Sequence, residues 1–173
     1  MTTSAKVRHA EASDLPLLAE VEVSGGRLFE TVALKSALDP NHSTPTEKLR
    51  QALDDRLLWV AVDPADRPLG FVAASGGPGT TFIVELSVAH EEQGKGLGAA
   101  LMRTAIDDAR RRGDRAVTLT TFRDVPWNRP FYEKLGFRVL EPTELTPELI
   151  AVLADEASRG LAPDERCAMH LAL

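Results

Sequence analysis

Residues 82–112 read FIVELSVAHEEQGKGLGAALMRTAIDDARRR, and the fold turns on how that stretch divides. Phe82, Val84, Leu86 and Val88 stand on alternate positions, the period of a strand. Leu97, Ala100, Leu101, Thr104, Ala105 and Ala109 recur every three or four positions, which is one face of a helix. Between them lies Gln93-Gly94-Lys95-Gly96-Leu97-Gly98. Its three alternate glycines let the main chain come close to a ligand and turn several N–H groups one way. The start of the helix adds the positive end of its dipole. Such a turn is a socket for an anion, most often a phosphate.

Two phosphate motifs fail on spacing. A nucleotide P-loop needs a hydroxyl residue after its lysine, and here Lys95 is followed by Gly96. The dinucleotide fingerprint G-x-G-x-x-G does not match the even spacing of Gly94, Gly96 and Gly98. What fits is Q-x-x-G-x-G, from Gln93 to Gly98. This resembles the acetyl-coenzyme A pyrophosphate loop of the GNAT superfamily of N-acetyltransferases. Taken alone, the same six residues also describe a tight strand-to-helix turn with no ligand.

Composition narrows the function classes. A chain of 173 residues suits one domain with a substantial core. Its net charge of −6 argues against generic nucleic-acid binding and suits a cationic acceptor. No run of about eighteen apolar residues spans a membrane, and the N-terminal MTTSAKVRHAEASD lacks a signal core. Cys167 is the one cysteine, so no internal disulfide forms, and a cytoplasmic location is expected. His9, His42, His90 and His170 lack metal-ligand spacing, so no metal is expected.

The remaining elements follow from pattern and punctuation. Lys6 to Ala10 reads as a strand, and Ser13 or Asp14 as the cap of a helix interrupted at Gly25-Gly26. Thr44-Pro45-Thr46-Glu47 reads as a capping box for a second helix. Leu57 to Val62 and Leu69 to Ala74 pair as a hairpin, with Gly76 to Gly79 turning into the Phe82 strand. The long helix stops at Gly113, and Ala116 to Thr121 returns parallel through a right-handed crossover. A short helix from Asn128, a strand at Phe137 to Leu140, a helix from Thr146 with Leu149, Ile150 and Leu153 inward, and a strand from Cys167 complete the chain. The predicted class is α/β of the mixed kind. One domain over residues 1–173 would hold a mixed, mostly antiparallel sheet of about seven strands with helices on both faces.

Here the resemblance widens. GNAT enzymes share this element order and a second motif similar to Asn128-Arg129-Pro130-Phe131-Tyr132-Glu133-Lys134-Leu135-Gly136-Phe137. The resemblance implies acetyl-CoA as acyl donor, held at its pyrophosphate by the main chain of Gln93, Gly94, Lys95, Gly96, Leu97, Gly98 and Ala99. It implies a gap between the two central strands, where pantetheine pairs with Leu86, Ser87 and Val88 like an added strand. An N–H near Val88 would polarise the thioester carbonyl. Asn128, Phe131 and Tyr132 would border the CoA arm, with Tyr132 as the acid that protonates the leaving thiolate. Asn128 could instead be a plain N-cap, and Tyr132 a packed aromatic. The family also commonly forms homodimers, for which the last strand is one place.

An ammonium acceptor must lose a proton before it attacks. Glu85 is the first choice for the base; it stands with Ser87 opposite the apolar row. The bland reading is a strand carboxylate paired with an arginine. Glu22 and Glu30 are weaker candidates, lining the pocket or facing solvent. Asp124, Phe122 and Trp127 could complete the acceptor pocket, or Arg123 and Asp124 could simply pair. Cys167 reads as a buried core residue rather than an acetyl carrier. The function expected is direct acetyl transfer to a primary amine of a small molecule. The alternatives are a CoA-binding sensor without chemistry and an acetyltransferase of protein lysines or N-termini.

Overall fold

The structure, a computed structural model, describes residues 5–173. Its sheet is built from β1 (Lys6–His9), β2 (Leu58–Val62), β3 (Pro68–Gly77), β4 (Thr80–Val88), β5 (Ala116–Phe122), β6 (Arg138–Val139) and β7 (Arg166–Ala172). The helices are α1 (Leu15–Gly26), α2 (Thr46–Asp54), α3 (Leu97–Arg112), α4 (Arg129–Lys134) and α5 (Pro147–Ser158). The strands lie in the order β1-β2-β3-β4-β5-β7-β6. Only β4 and β5 run parallel, because α3 carries the chain back across the sheet between them. The expected mixed, mostly antiparallel architecture is therefore the observed one. No helix among the described residues is long and apolar enough to cross a membrane.

Strand alternation sends side chains to two cores. Trp59, Val72, Ile83 and Val117 pack with Leu101, Met102, Ala105 and Ala109 of α3. Leu58, Val60 and Phe71 pack on the other face with Leu18 and Val21 of α1 and Leu49 of α2. Phe82 lies against Leu149 and Leu153 of α5.

The apolar row expected along β4 does not stay on one face. Ala73 pairs with Glu85 while Ala74 pairs with Ile83, so Val84 is the extra residue of a β-bulge. Phe82 and Val84 therefore belong to the α5 and α1–α2 side, whereas Leu86 and Val88 pack with the α3 core. The bulge also bends the strand. β4 pairs with β5 only at Thr80, Thr81 and Phe82, and the pairing ends where the bulge begins. From residue 83 onward the two strands diverge, which leaves main-chain groups of β4 unpaired on that side.

Several local expectations give way to tertiary contacts. Asp14 makes no side-chain cap; its carboxylate accepts from Arg8 Nη1 at 2.8 Å and from the Glu11 N–H at 2.8 Å. The capping box at Thr44 is not formed either, and α2 begins at Thr46 behind Pro45. Ile150 is 53% exposed, because Leu149 takes the inward position of α5. β7 lies inside the sheet, covered by β6 at Met169 and His170, so the last strand is not a free edge for a homodimer.

Gly25 is fixed by close approach. A Cβ built there would lie 2.6 Å from the Val88 main-chain oxygen. Gly25→Ala should force α1 away from the end of β4 and cost about 1–3 kcal/mol of stability. Urea unfolding of the two proteins checks this.

Candidate active site

The glycine-rich loop joins the diverging end of β4 to α3. Gly94 and Gly96 have φ of 76° and 85°, the left-handed region that glycine enters without strain, and nothing lies within 4 Å of a Cβ built on either. The Gln93 side-chain amide donates to the main-chain oxygens of Gly25 and Val88, each at 3.1 Å. Ser24 Oγ accepts from the His90 N–H at 3.0 Å. The loop is thus stapled to the end of α1. Gln93 differs from the residues after it, because its own N–H is bonded to the His90 oxygen at 3.3 Å. The N–H groups of residues 94–99 have no partner among the described residues, and the first bond into the helix runs from the Ala100 N–H to the Gly96 oxygen at 3.1 Å. Open donors, a helix start and free space are the features that suit an anion. Lys95 is held by Glu92 at 3.0 Å. Gly98 leaves room for Phe131, whose ring would stand 3.5 Å from a Cβ there.

Glu85 sits on β4 just past the bulge, half-buried, at the divergence from β5. Ser87 Oγ donates to its Oε1 at 2.8 Å. Burial pushes its carboxyl up to about 8, the negative charge of Glu22 adds to that, and Ser87 and Arg166 oppose it. Glu22 does not face solvent. It is 7% exposed, and it accepts from the Thr44 N–H at 2.7 Å and the Thr44 hydroxyl at 3.1 Å. Burial raises its carboxyl, and the two Thr44 bonds hold it down. The threonine that sequence pattern assigns to a helix cap instead anchors the entry to α2 on a buried carboxylate. Glu30 is exposed to solvent in the 3-10 turn Arg27–Thr31.

Tyr132 stands on α4, across the divergence. Its ring packs on Phe131 and Phe137 with centroids 5.0 and 5.9 Å away. Burial, then the charge of Glu85, raise its hydroxyl well above the ordinary phenol range. That hydroxyl makes no hydrogen bond among the described residues. Asn128 occupies the N-cap position of α4, yet its side chain accepts nothing from the helix, so the plain-cap reading fails. Its main-chain oxygen accepts from the Tyr132 N–H at 3.2 Å.

The other wall is aromatic and basic. Phe29 meets Phe122 at 5.4 Å and Trp127 at 5.7 Å, linking the turn after α1 to the loop after β5. Arg123 and Asp124 form no ion pair; Asp124 is exposed, and Arg123 Nη2 reaches the Arg166 oxygen at 3.5 Å. Arg166 was not evident from sequence. Its guanidinium lies 4.6 Å over the Phe122 ring and pairs with buried Glu156 at 3.0 Å. Cys167 is 3% exposed and burial pushes its thiol up, consistent with a core residue. Residues 35–37 are clasped from the far side. Glu165 accepts from the Lys35 N–H at 2.6 Å and from Ser36 Oγ at 2.6 Å, and Ala37 N–H bonds the Gly160 oxygen at 3.0 Å. No metal-binding cluster occurs among the described residues.

Solved structures share this architecture. Rv2747 from Mycobacterium tuberculosis, solved with CoA and NLQ, is 24% identical, with a TM-score of 0.65 over 97% of this chain and 99% of its own. The PaiA N-acetyltransferase of Thermoplasma acidophilum, solved with coenzyme A, is 16% identical, with a TM-score of 0.72 over 98% and 99%. A ribosomal-protein alanine N-acetyltransferase of Escherichia coli is 17% identical, with a TM-score of 0.66 over 97% and 93%. At these identities the likeness speaks for the fold. The sequence itself matches the family model described as Acetyltransferase (GNAT) family over residues 29–137, from the turn after α1 to Phe137 beyond α4. With the diverging central strands and the loop between β4 and α3 inside that span, this chain belongs to the GNAT family of acetyltransferases.

Proposed function

We propose that the protein transfers an acetyl group from acetyl-CoA to a primary amine of a small molecule, directly, within a ternary complex. The observation that carries this reading is the divergence of β4 from β5 between an open-donor loop at one end and the Glu85–Tyr132 pair. Acetyl-CoA is the substrate that matches the loop. Its pyrophosphate meets the free N–H groups of residues 94–99, and its pantetheine arm pairs with Leu86, Ser87 and Val88 where β5 has withdrawn. Asn128, Phe131 and Tyr132 line the opposite side. An N–H near Val88 would stabilise the oxyanion.

Glu85 takes a proton from the incoming ammonium, the neutral nitrogen attacks the thioester carbon, and the tetrahedral adduct expels the thiolate. Tyr132, kept protonated by its surroundings, gives its proton to sulfur and regains one from the adduct nitrogen as the neutral amide forms, while Glu85 passes its own proton to solvent.

The reading makes a signed pH prediction. Glu85 works as a base only when ionised, so kcat/KM should rise as pH rises through about 8. Glu22→Gln removes a neighbouring negative charge that raises Glu85, so the limb should move to lower pH. Glu85→Gln should abolish the limb and lower the rate. A pH–rate series on the three proteins, with an acceptor of low amine pKa, tests this. An unmoved limb in Glu22→Gln and an unchanged limb in Glu85→Gln would remove Glu85 from the mechanism.

A further inference from the structure

The acceptor side of the opening carries a second fixed charge, Arg166. Its side chain is 11% exposed and its direction is set on three sides. Nε donates to Glu156 Oε2 and Nη2 to Glu156 Oε1, both at 3.0 Å, while Nη2 also reaches Thr120 Oγ1 at 3.4 Å. The plane rests on Phe122. Thr120 Oγ1 in turn donates to Glu156 at 2.5 Å. Nε and Nη2 are thereby spent, and Nη1 makes no hydrogen bond among the described residues. Arg166 pairs with Phe122 at the end of β5 that has left β4, so it stands beside the divergence.

Its neighbours leave Nη1 without a carboxylate partner among the described residues. Arg166 and Glu156 cancel. Arg123, bound to the Arg166 main-chain oxygen, has no ion pair among the described residues. Glu165 is occupied by Lys35 and Ser36. Asp124 is exposed to solvent. Glu85, a carboxylate, and Arg166 Nη1, a pair of guanidinium N–H donors, thus stand on one face of the sheet at the divergence of β4 from β5. A molecule with an ammonium and an anionic group complements both.

We propose that Arg166 Nη1 binds a carboxylate of the acceptor, so that the substrate is a small amino acid rather than a simple amine. The inference rests on the acetyltransferase reading above and names its substrate class. Because Nε and Nη2 are already fixed, little side-chain freedom is lost when the carboxylate docks. The ammonium is then directed to Glu85 and the thioester.

The test uses the whole protein and needs no variant for its first arm. CoA release is measured with α-, β- and γ-amino acids, each beside its decarboxylated amine and its methyl ester. The amino acids should show kcat/KM at least about tenfold above both partners. Equal or better rates with the partners that lack the carboxylate overturn the inference while leaving the transferase reading standing. No release with any acceptor removes both. In the second arm, Arg166→Lys keeps the charge but loses the fork. It should narrow the amino-acid preference chiefly through KM, whereas loss of packing alone would lower the rates of all acceptors together. An unchanged preference in a folded Arg166→Lys protein also overturns the proposal.

Discussion

Tyr132→Phe is expected to lower kcat by about a hundredfold or more, the contribution typical of a positioned general acid. The ring contacts to Phe131 and Phe137 survive the change, and the lost hydroxyl has no hydrogen-bond partner among the described residues. Stability and acetyl-CoA affinity should therefore stay close to those of the parent protein. The raised phenol pKa works in the same direction, because it keeps the proton in place until a thiolate forms. Steady-state thiol release gives kcat, and calorimetric titration gives acetyl-CoA affinity. Full turnover in the variant would take the acid role away from Tyr132.

Gly96→Glu should eliminate the rise in melting temperature that acetyl-CoA gives the parent protein. Two effects combine. The residue holds φ of 85°, which costs a non-glycine residue about 1–2 kcal/mol. The new carboxylate also projects into the open space that the N–H groups of residues 94–99 face, where it repels a diphosphate. Gly113→Glu separates the two. Gly113 has φ of 79° and equally open surroundings, but it closes the far end of α3. That variant should melt earlier and still respond to acetyl-CoA. A preserved ligand shift in Gly96→Glu would remove the loop from the binding site.

Much of the scaffold could be read from the chain because its signals are local. The glycine spacing at 94–98, the face of α3 and the stop at Gly113 each depend on residues within a few positions. The site is less legible because its contacts are made at a distance. Val84 fits the alternating pattern perfectly well, yet the register against β3 makes it a bulge and sends Phe82 and Leu86 to opposite faces. Thr44 has the sequence of a cap, but a buried carboxylate 22 positions earlier competes for its N–H and hydroxyl and wins. Gly25 has the sequence of a kink; its reason is the Val88 oxygen. Arg166 gave no signal at all, since a cation at a strand start becomes distinctive only once Glu156, Thr120 and Phe122 surround it.

The central claim is that the opening between β4 and β5 performs acetyl transfer and does not merely bind CoA. Mass spectrometry of a reaction containing the protein, acetyl-CoA and a small amine or amino acid, with free thiol quantified in parallel, tests it most directly. The account predicts acetylated acceptor and free CoA in equal amounts, both lost in Glu85→Gln combined with Tyr132→Phe. Tight acetyl-CoA binding with neither product, across the whole acceptor panel, would contradict it and leave a CoA-binding module without chemistry.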